Sequence, residues 1–256
     1  MTDQLLWECA DGIGRLTFNR PAQRNALTWA MYDGLVATID RVDADPAMRA
    51  LILTGAGDKA FAAGTDIAQF RDFQSPADAI AYEQRIDQVL TRLETCRIPT
   101  IAAIAGACTG GGAAIAACCD LRLAATGARF GFPIAKTLGN CLSMANLARL
   151  SALIGAARVK EIIFTARLLD AEEAHRIGLI SEITTPDDLP DRAHALARTV
   201  AALAPLTLRS TKLALRRLQA TVTEDEDLIL MCYQSADFRE GMEAFLAKRP
   251  PAWTGT

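Results

Sequence analysis

Two glycine-rich stretches could do chemistry with the backbone alone. In LILTGAGDKAFAAGTDIAQF (51–70) an apolar run ends at Gly55, a glycine-rich turn follows, and FAAGTDI leads towards a helix. In AAIAGACTGGGAAIAACC (102–119) an apolar run again ends in glycines, and small residues follow that suit a helix start. Glycine runs cost backbone entropy on folding, so such a run implies that the backbone itself is needed there. Both stretches offer backbone N–H groups, and a helix beginning at the second would turn its positive end towards a ligand. Two N–H groups converging on one oxygen form an oxyanion hole, worth about 3 kcal/mol per donor in a transition state. Each stretch taken alone also fits an ordinary turn. Neither a GxxxxGK[ST] phosphate loop nor GxGxxG after a strand occurs, so no motif supports nucleotide binding.

Other reactive side chains are few. None of the seven cysteines stands in a CxxC pair, and the adjacent Cys118 and Cys119 suit neither an ordinary disulfide nor zinc. They read as buried free thiols of a reducing compartment, with no metal site. The two histidines, His175 and His194, lie in polar, helix-like stretches and read as surface residues. The net charge of −3, without a basic stripe or block of like charge, argues against nucleic acid or an anionic membrane as partner. Acidic residues stand where a signal peptide would be basic, and no apolar run approaches about 18 residues, so a cytoplasmic protein without a membrane span is expected.

The elements that must position the two stretches follow an alternating pattern. Residues 13–18, 49–55, 100–106 and 120–126 are short apolar runs bounded by turn residues and read as strands. TWAMYDGLVATIDRVDAD opens on Thr28 as an N-cap and puts Met31, Leu35, Val36 and Ile39 on one helical face. SPADAIAYEQRIDQVLTRLETC has Ser75 as cap, Pro76 in the first turn, and an apolar face of Ile86, Val89, Leu90 and Leu93. Strands alternating with helices define an α/β protein. Beyond about residue 190 the pattern is helical, predicting a core over 1–195 and a helical subdomain over 196–256.

Taken together, the two glycine stretches in this order, with LTFNRPAQRNALT (16–28), RFGFP (129–133), FTARLLDAEEAHRIGLISEI (164–183) and FREGMEAFLAKRPPAW (238–253), resemble the crotonase, or enoyl-CoA hydratase/isomerase, family over nearly the whole chain. The resemblance implies a spiral of ββα units with a C-terminal helical trimerisation region, assembled as a trimer or a dimer of trimers. It implies an acyl-CoA thioester substrate of the kind met in fatty acid metabolism, with coenzyme A as part of the substrate and no separate cofactor. By resemblance, the oxyanion donors are the N–H groups of Thr65, where the family usually has Ala, and Gly111, stabilising a thioester enolate. Gln23, Arg24, Ala26, Ala63, Gly64, Asp66, Ile67 and Gly110 then line the coenzyme A and acyl side, and Phe245 and Lys248 match positions that reach a neighbouring subunit's nucleotide.

The chain departs from the family where acid–base chemistry is done. A hydratase of this family uses one Glu three residues after the oxyanion glycine and another after the Pro of FGxP; here these positions are Ala114 and Ile134, neither of which transfers a proton. The segment PIAKTLGNCLSMANLARL (133–150) is one residue longer than the family pattern; the family uses this region to cover the acyl chain, so the resemblance implies that Lys136, Thr137, Asn140, Cys141 and Ser143 lie near the pocket. By resemblance Asp72 lies in a segment flanking the pocket and is a candidate acid or base; Cys141 and Ser143 are further candidates, Cys141 as nucleophile or proton donor if its pKa is lowered. Asp66 and Asp120 match scaffold positions. The expected function is an acyl-CoA-processing lyase or isomerase; the alternative is a binding protein that kept the fold and lost catalysis.

Overall fold

The computed structural model describes residues 3–70, 76–219, 227, 231 and 235–256. Among these residues, ten strands form two sheets. The six-stranded sheet runs β1 (Leu5–Ala10), β2 (Ile13–Phe18), β3 (Ala50–Gly55), β5 (Thr100–Ile104), β7 (Leu121–Ala125), β10 (Glu182–Thr184). The second runs β4 (Ala60–Ala62), β6 (Ala107–Thr109), β8 (Arg129–Gly131), β9 (Leu169–Asp170). Among the described residues, only the β1–β2 and β8–β9 strand pairs are antiparallel.

Each turn of the chain contributes one strand to each sheet: β3 then β4, β5 then β6, β7 then β8. Helix α2 (Pro76–Glu94) follows the first of these pairs and α3 (Gly111–Cys118) the second, so the chain is a spiral of ββα units. All five residues of β5 are buried, as a parallel strand covered on both faces requires. One face packs on α8 (Leu189–Ala201) through Ile52, Ile101, Leu123, Leu189 and Ala193. The other packs on the second sheet, α2, α3 and α1 (Trp29–Ala44) in the main core.

The strands read at 13–18, 49–55, 100–106 and 120–126 form as β2, β3, β5 and β7. Thr28 caps α1 by accepting the Met31 N–H at 3.3 Å, and Met31, Leu35 and Ile39 are buried, with Val36 packed at the edge. Ser75, the expected cap of α2, lies outside the described residues. The chain continues through α4 (Ile134–Thr137), α5 (Met144–Ile154), α6 (Ala156–Phe164) and α7 (Ala171–Arg176) before α8. Helices α9 (Pro205–Gln219) and α10 (Ala236–Leu246) carry the helical C-terminal part, and the Asp237 carboxylate folds the chain end back by accepting the Thr254 and Gly255 N–H groups at 2.6 and 2.9 Å.

Candidate functional site

The glycine run after β6 has three different jobs. Gly110, the N-cap of α3, takes φ +52°, a backbone region that side chains disfavour, and its N–H reaches Gly131 O at 3.1 Å. A Cβ on Gly111 would overlap the Tyr32 hydroxyl and lie 3.1 Å from Thr65 Oγ1. A Cβ on Gly112 would overlap the carbonyl of Ala62, so α3 approaches β4 as closely as backbone allows. At its far end α3 meets the buried Arg122 guanidinium, which donates to the carbonyls of Ala116 and Cys119. A cation at that end reinforces the helix dipole whose positive end lies at Gly111.

The first stretch is fastened just as firmly. The Leu27 N–H donates to Gly64 O at 2.8 Å and the Asp66 N–H to Leu27 O at 2.9 Å, which brackets Thr65. Gly64 has φ +111°, and a Cβ on Gly110 would lie only 3.5 Å from its Cα, so the two loops adjoin. Among the described residues, no acceptor takes the N–H of Thr65 or of Gly111. Two unspent N–H groups on adjoining, immobilised loops, one at a helix start, suit an oxygen carrying negative charge.

Asp66 is committed to this scaffold. Burial opposes its ionisation, but the Ala68 N–H at 3.1 Å and Arg20 at 2.9 Å outweigh it and hold the carboxyl below the usual range. Ala63 N–H donates to Arg24 O at 3.0 Å, which sets Gln23, Arg24 and Ala26 alongside Ala63 and Gly64 on one rim. Ile67 is exposed beside them. The buried Asn25 pins this rim by donating to Ala56 O and Ala60 O and accepting the Arg20 N–H.

Ala114 on α3 and Ile134 at the start of α4 are 5 % and 7 % exposed, so both positions are apolar and buried. Beyond Ile134 the surface changes: Lys136, Thr137, Asn140 and Cys141 are all exposed. Ser143 has a structural task, capping α5 by accepting the Asn146 N–H at 3.2 Å and donating to Asp87 Oδ1 at 2.9 Å. Asp120 is likewise occupied, accepting from Thr100 N–H at 2.7 Å and pairing with Lys212 at 2.7 Å. Lys248 is exposed past the end of α10. Asp72 and the Phe245 side chain lie outside what the structure describes.

The histidines stand apart. His175 is exposed on α7, and His194 on α8 lines a cavity of 870 Å³ against the far face of the large sheet, with neither Thr65 nor Gly111 among its walls. Cys118 and Cys119 are buried free thiols, and burial pushes Cys119 up to about 12.

Three hydroxyl residues near the loops carry a network that the sequence reading passed over. Thr65 Oγ1 lies 2.8 Å from Tyr32 Oη and 3.0 Å from Tyr82 Oη. Trp29 packs between the phenols, 5.9 Å from the Tyr32 ring and 5.6 Å from Tyr82, with the Arg85 guanidinium 4.1 Å above it. Beside Tyr82 on α2, burial and then the charge of Asp87 raise Glu83 above the ordinary carboxyl range. Periodicity did offer a signal: Tyr82 stands four residues before Ile86 and seven before Val89, on the face that α2 buries.

Two sheets joined by a ββα spiral define an α/β protein, and its turns after β4 and β6 carry unspent N–H groups. The enoyl-CoA hydratase/isomerase family model matches residues 8–256, and the chain belongs to that family, within the crotonase superfamily. It is 36 % identical over 257 residues to a probable enoyl-CoA hydratase, echA8, of Mycobacterium bovis, covering 98 % of each chain. It is 33 % identical to a crotonyl-CoA hydratase of Syntrophomonas wolfei over 252 residues, 96 % of each. A crystal structure of an enoyl-CoA hydratase/carnithine racemase from Magnetospirillum magneticum superposes with a TM-score of 0.93 at 35 % identity, covering all of this chain and 97 % of that one.

Proposed function

We propose that this enzyme processes an acyl-CoA thioester by holding its carbonyl oxygen with the N–H groups of Thr65 and Gly111 and stabilising the enolate that forms there. The observation that carries this reading is the pair of unspent N–H groups on loops locked against each other at Gly64 and Gly110. Their immobility supports it, because preorganised donors need no rearrangement when charge develops on the oxygen. The rim of Gln23, Arg24, Ala26 and Ala63 suits the pantetheine and adenine side, with Ile67, Asp66 and Asn140 flanking the acyl entrance. In a trimer or a dimer of trimers, Phe245 and Lys248 would reach a neighbour's nucleotide, a lysine pairing naturally with phosphate.

Ala114 and Ile134 argue against ordinary syn-hydration. Activating water needs a base, and these buried apolar positions supply none. The reaction classes that fit are isomerisation, decarboxylation, thioester hydrolysis or C–C cleavage, with Asp72 and Cys141 as candidate acid–base or nucleophilic groups. The same two replacements favour a second reading, a protein that binds acyl-CoA without turning it over.

The test is a panel of crotonyl-CoA, 3-butenoyl-CoA, malonyl-CoA, acetyl-CoA and 3-hydroxybutyryl-CoA, read by mass spectrometry for gain of water, loss of CO2, hydrolysis or cleavage, and chromatographically for isomerisation. Turnover of at least one member without rapid hydration of crotonyl-CoA is expected. Gly111→Pro, which deletes one donor, should lower that turnover by about 10²-fold to 10³-fold. Rapid hydration of crotonyl-CoA would refute the non-hydratase reading, and full activity in Gly111→Pro would refute the donor assignment.

A further inference from the structure

The hydroxyl cluster at Thr65 has a proton arithmetic of its own. Tyr32 is 1 % exposed, and the one hydrogen-bonding partner of its phenol among the described residues is Thr65 Oγ1, at 2.8 Å. A buried phenol O–H left without an acceptor is costly, so Tyr32 donates and Thr65 accepts. Thr65 still holds its own proton. When Thr65 donates to Tyr82 at 3.0 Å, that proton is spent inside the cluster; when Tyr82 turns to donate, the Thr65 O–H is freed. A hydroxyl rotation of this kind needs no backbone motion. Thr65 also carries one of the two unspent N–H groups, and Gly111, which carries the other, packs against both the Tyr32 and Thr65 hydroxyls.

We propose that the Thr65 hydroxyl, refilled from Tyr82 and braced by Tyr32, is the acid that protonates the α-carbon of the bound enolate. This assignment rests on the enolate reading above. In the step, the enolate electron pair takes the Thr65 proton, forming the α C–H bond and restoring the thioester carbonyl. The Thr65 oxygen takes the phenolic proton of Tyr82, and the phenolate recovers a proton from water, releasing hydroxide.

Burial raises both phenols above their ordinary range, Tyr32 furthest, so each holds its proton at neutral pH. The cluster therefore delivers a proton and does not remove one. A thioester enolate is a far stronger base than a phenolate, so delivery to carbon runs downhill even from a raised phenol. The partly buried Tyr82, rather than the enclosed Tyr32, is the member placed to exchange with water. Tyr32 is a positioning residue, hydrogen-bonded to Thr65 and filling the space beside Gly111. The division of labour explains a sequence oddity: a threonine where the family usually has alanine, in a chain whose two customary carboxylate positions are apolar.

The experiment uses Thr65→Ala, Thr65→Ser and Tyr82→Phe in the full chain, with acetoacetyl-CoA affinity by calorimetry and kcat on the panel thioester that the wild type converts. Thr65→Ala keeps the backbone donor and should keep acetoacetyl-CoA affinity, while kcat falls by about 10²-fold to 10⁴-fold. Thr65→Ser, which restores the hydroxyl, should recover most of the loss and also shows that residue 65 tolerates replacement. In mixtures of H2O and D2O the wild-type kcat should fall along a bowed curve, the sign of more than one proton in flight, and Tyr82→Phe should straighten it. Undiminished kcat in Thr65→Ala, or an unchanged isotope curve in Tyr82→Phe, would overturn the relay and leave the enolate reading standing. Acetoacetyl-CoA binding with no turnover of any panel member by the wild type would overturn both.

Discussion

The two sides of the candidate site are built from opposite materials. On one side, Ala62–Thr65 and Gly110–Ala114 lie close together, and a methyl group added at Gly111 or Gly112 would collide with the Tyr32 hydroxyl or the Ala62 carbonyl. On the other, residues 134–143 pass from the buried Ile134 to a run of exposed side chains that ends at the Ser143 cap of α5. The first side leaves little room for change because its function, on our reading, is to fix two N–H groups. On the same reading the second side meets the substrate through side chains, which can be exchanged without disturbing the main chain. A family that keeps the first and alters the second can hold the same enolate while changing the reaction that makes it.

The sharpest way to break that contrast is Gly112→Ala. The added Cβ would overlap the Ala62 carbonyl in a region with no slack, forcing α3 away from β4. A loss of about 3 kcal/mol or more is expected, at the upper end of overpacking effects, with turnover lost as well. Urea unfolding measures the first and the panel assay the second. A loss below about 1 kcal/mol would mean that this side is softer than its packing implies.

On the opposite side, Ser143→Ala should cost about 1 kcal/mol, the usual worth of an N-cap. It removes the acceptor of the Asn146 N–H and the donor to Asp87. If Ser143 acts only as a cap, thermal unfolding shifts and kcat stays within twofold at saturating substrate. A large fall in kcat with unchanged stability would instead place its hydroxyl in the chemistry.

Acid should loosen the rigid side through Asp66. Its carboxyl is depressed in the folded chain, so its contribution is fully present above the unfolded carboxylate pKa of about 3.9 and is lost as pH falls through the lower folded value. The effect is modest because the Arg20–Asp66 pair is only partly buried. Arg20→Gln should raise the Asp66 titration towards its ordinary range, as carboxyl NMR would record. No movement would show that the Ala68 N–H alone holds it.

How much of this was legible in the sequence depended on whether side chains or backbone carried the signal. Thr28 and the Met31, Leu35, Ile39 spacing announced α1, and four strands stood out as apolar runs. Strands β4, β6 and β8 did not, because three residues such as Ala60–Ala62 are too short for periodicity and made largely of small side chains. Strand β1 was read only for targeting signals, since its outer residues are largely exposed. The glycine loops were legible as a backbone feature, but not that Gly111 and Gly112 answer to different neighbours, Tyr32 and Ala62. The helical period places Tyr82 on a buried face, but a phenol there gives no hint of its hydrogen-bond partner.

Cys141 gives the smallest expected effect and the clearest distinction. It is exposed on the variable side, and among the described residues no hydrogen bond or ion pair reaches its thiol. A nucleophilic thiol needs an activating neighbour. Cys141→Ala should therefore shift stability by less than about 0.5 kcal/mol, and a thiol that merely borders the acyl entrance should change KM more than kcat. A covalent role would show differently: the variant would lose turnover, and intact-protein mass spectrometry of the wild type with substrate would reveal an acyl adduct at Cys141. That result would move the proton and bond chemistry from the rigid side to the exposed one, and with it the explanation of why the two customary carboxylates could be lost.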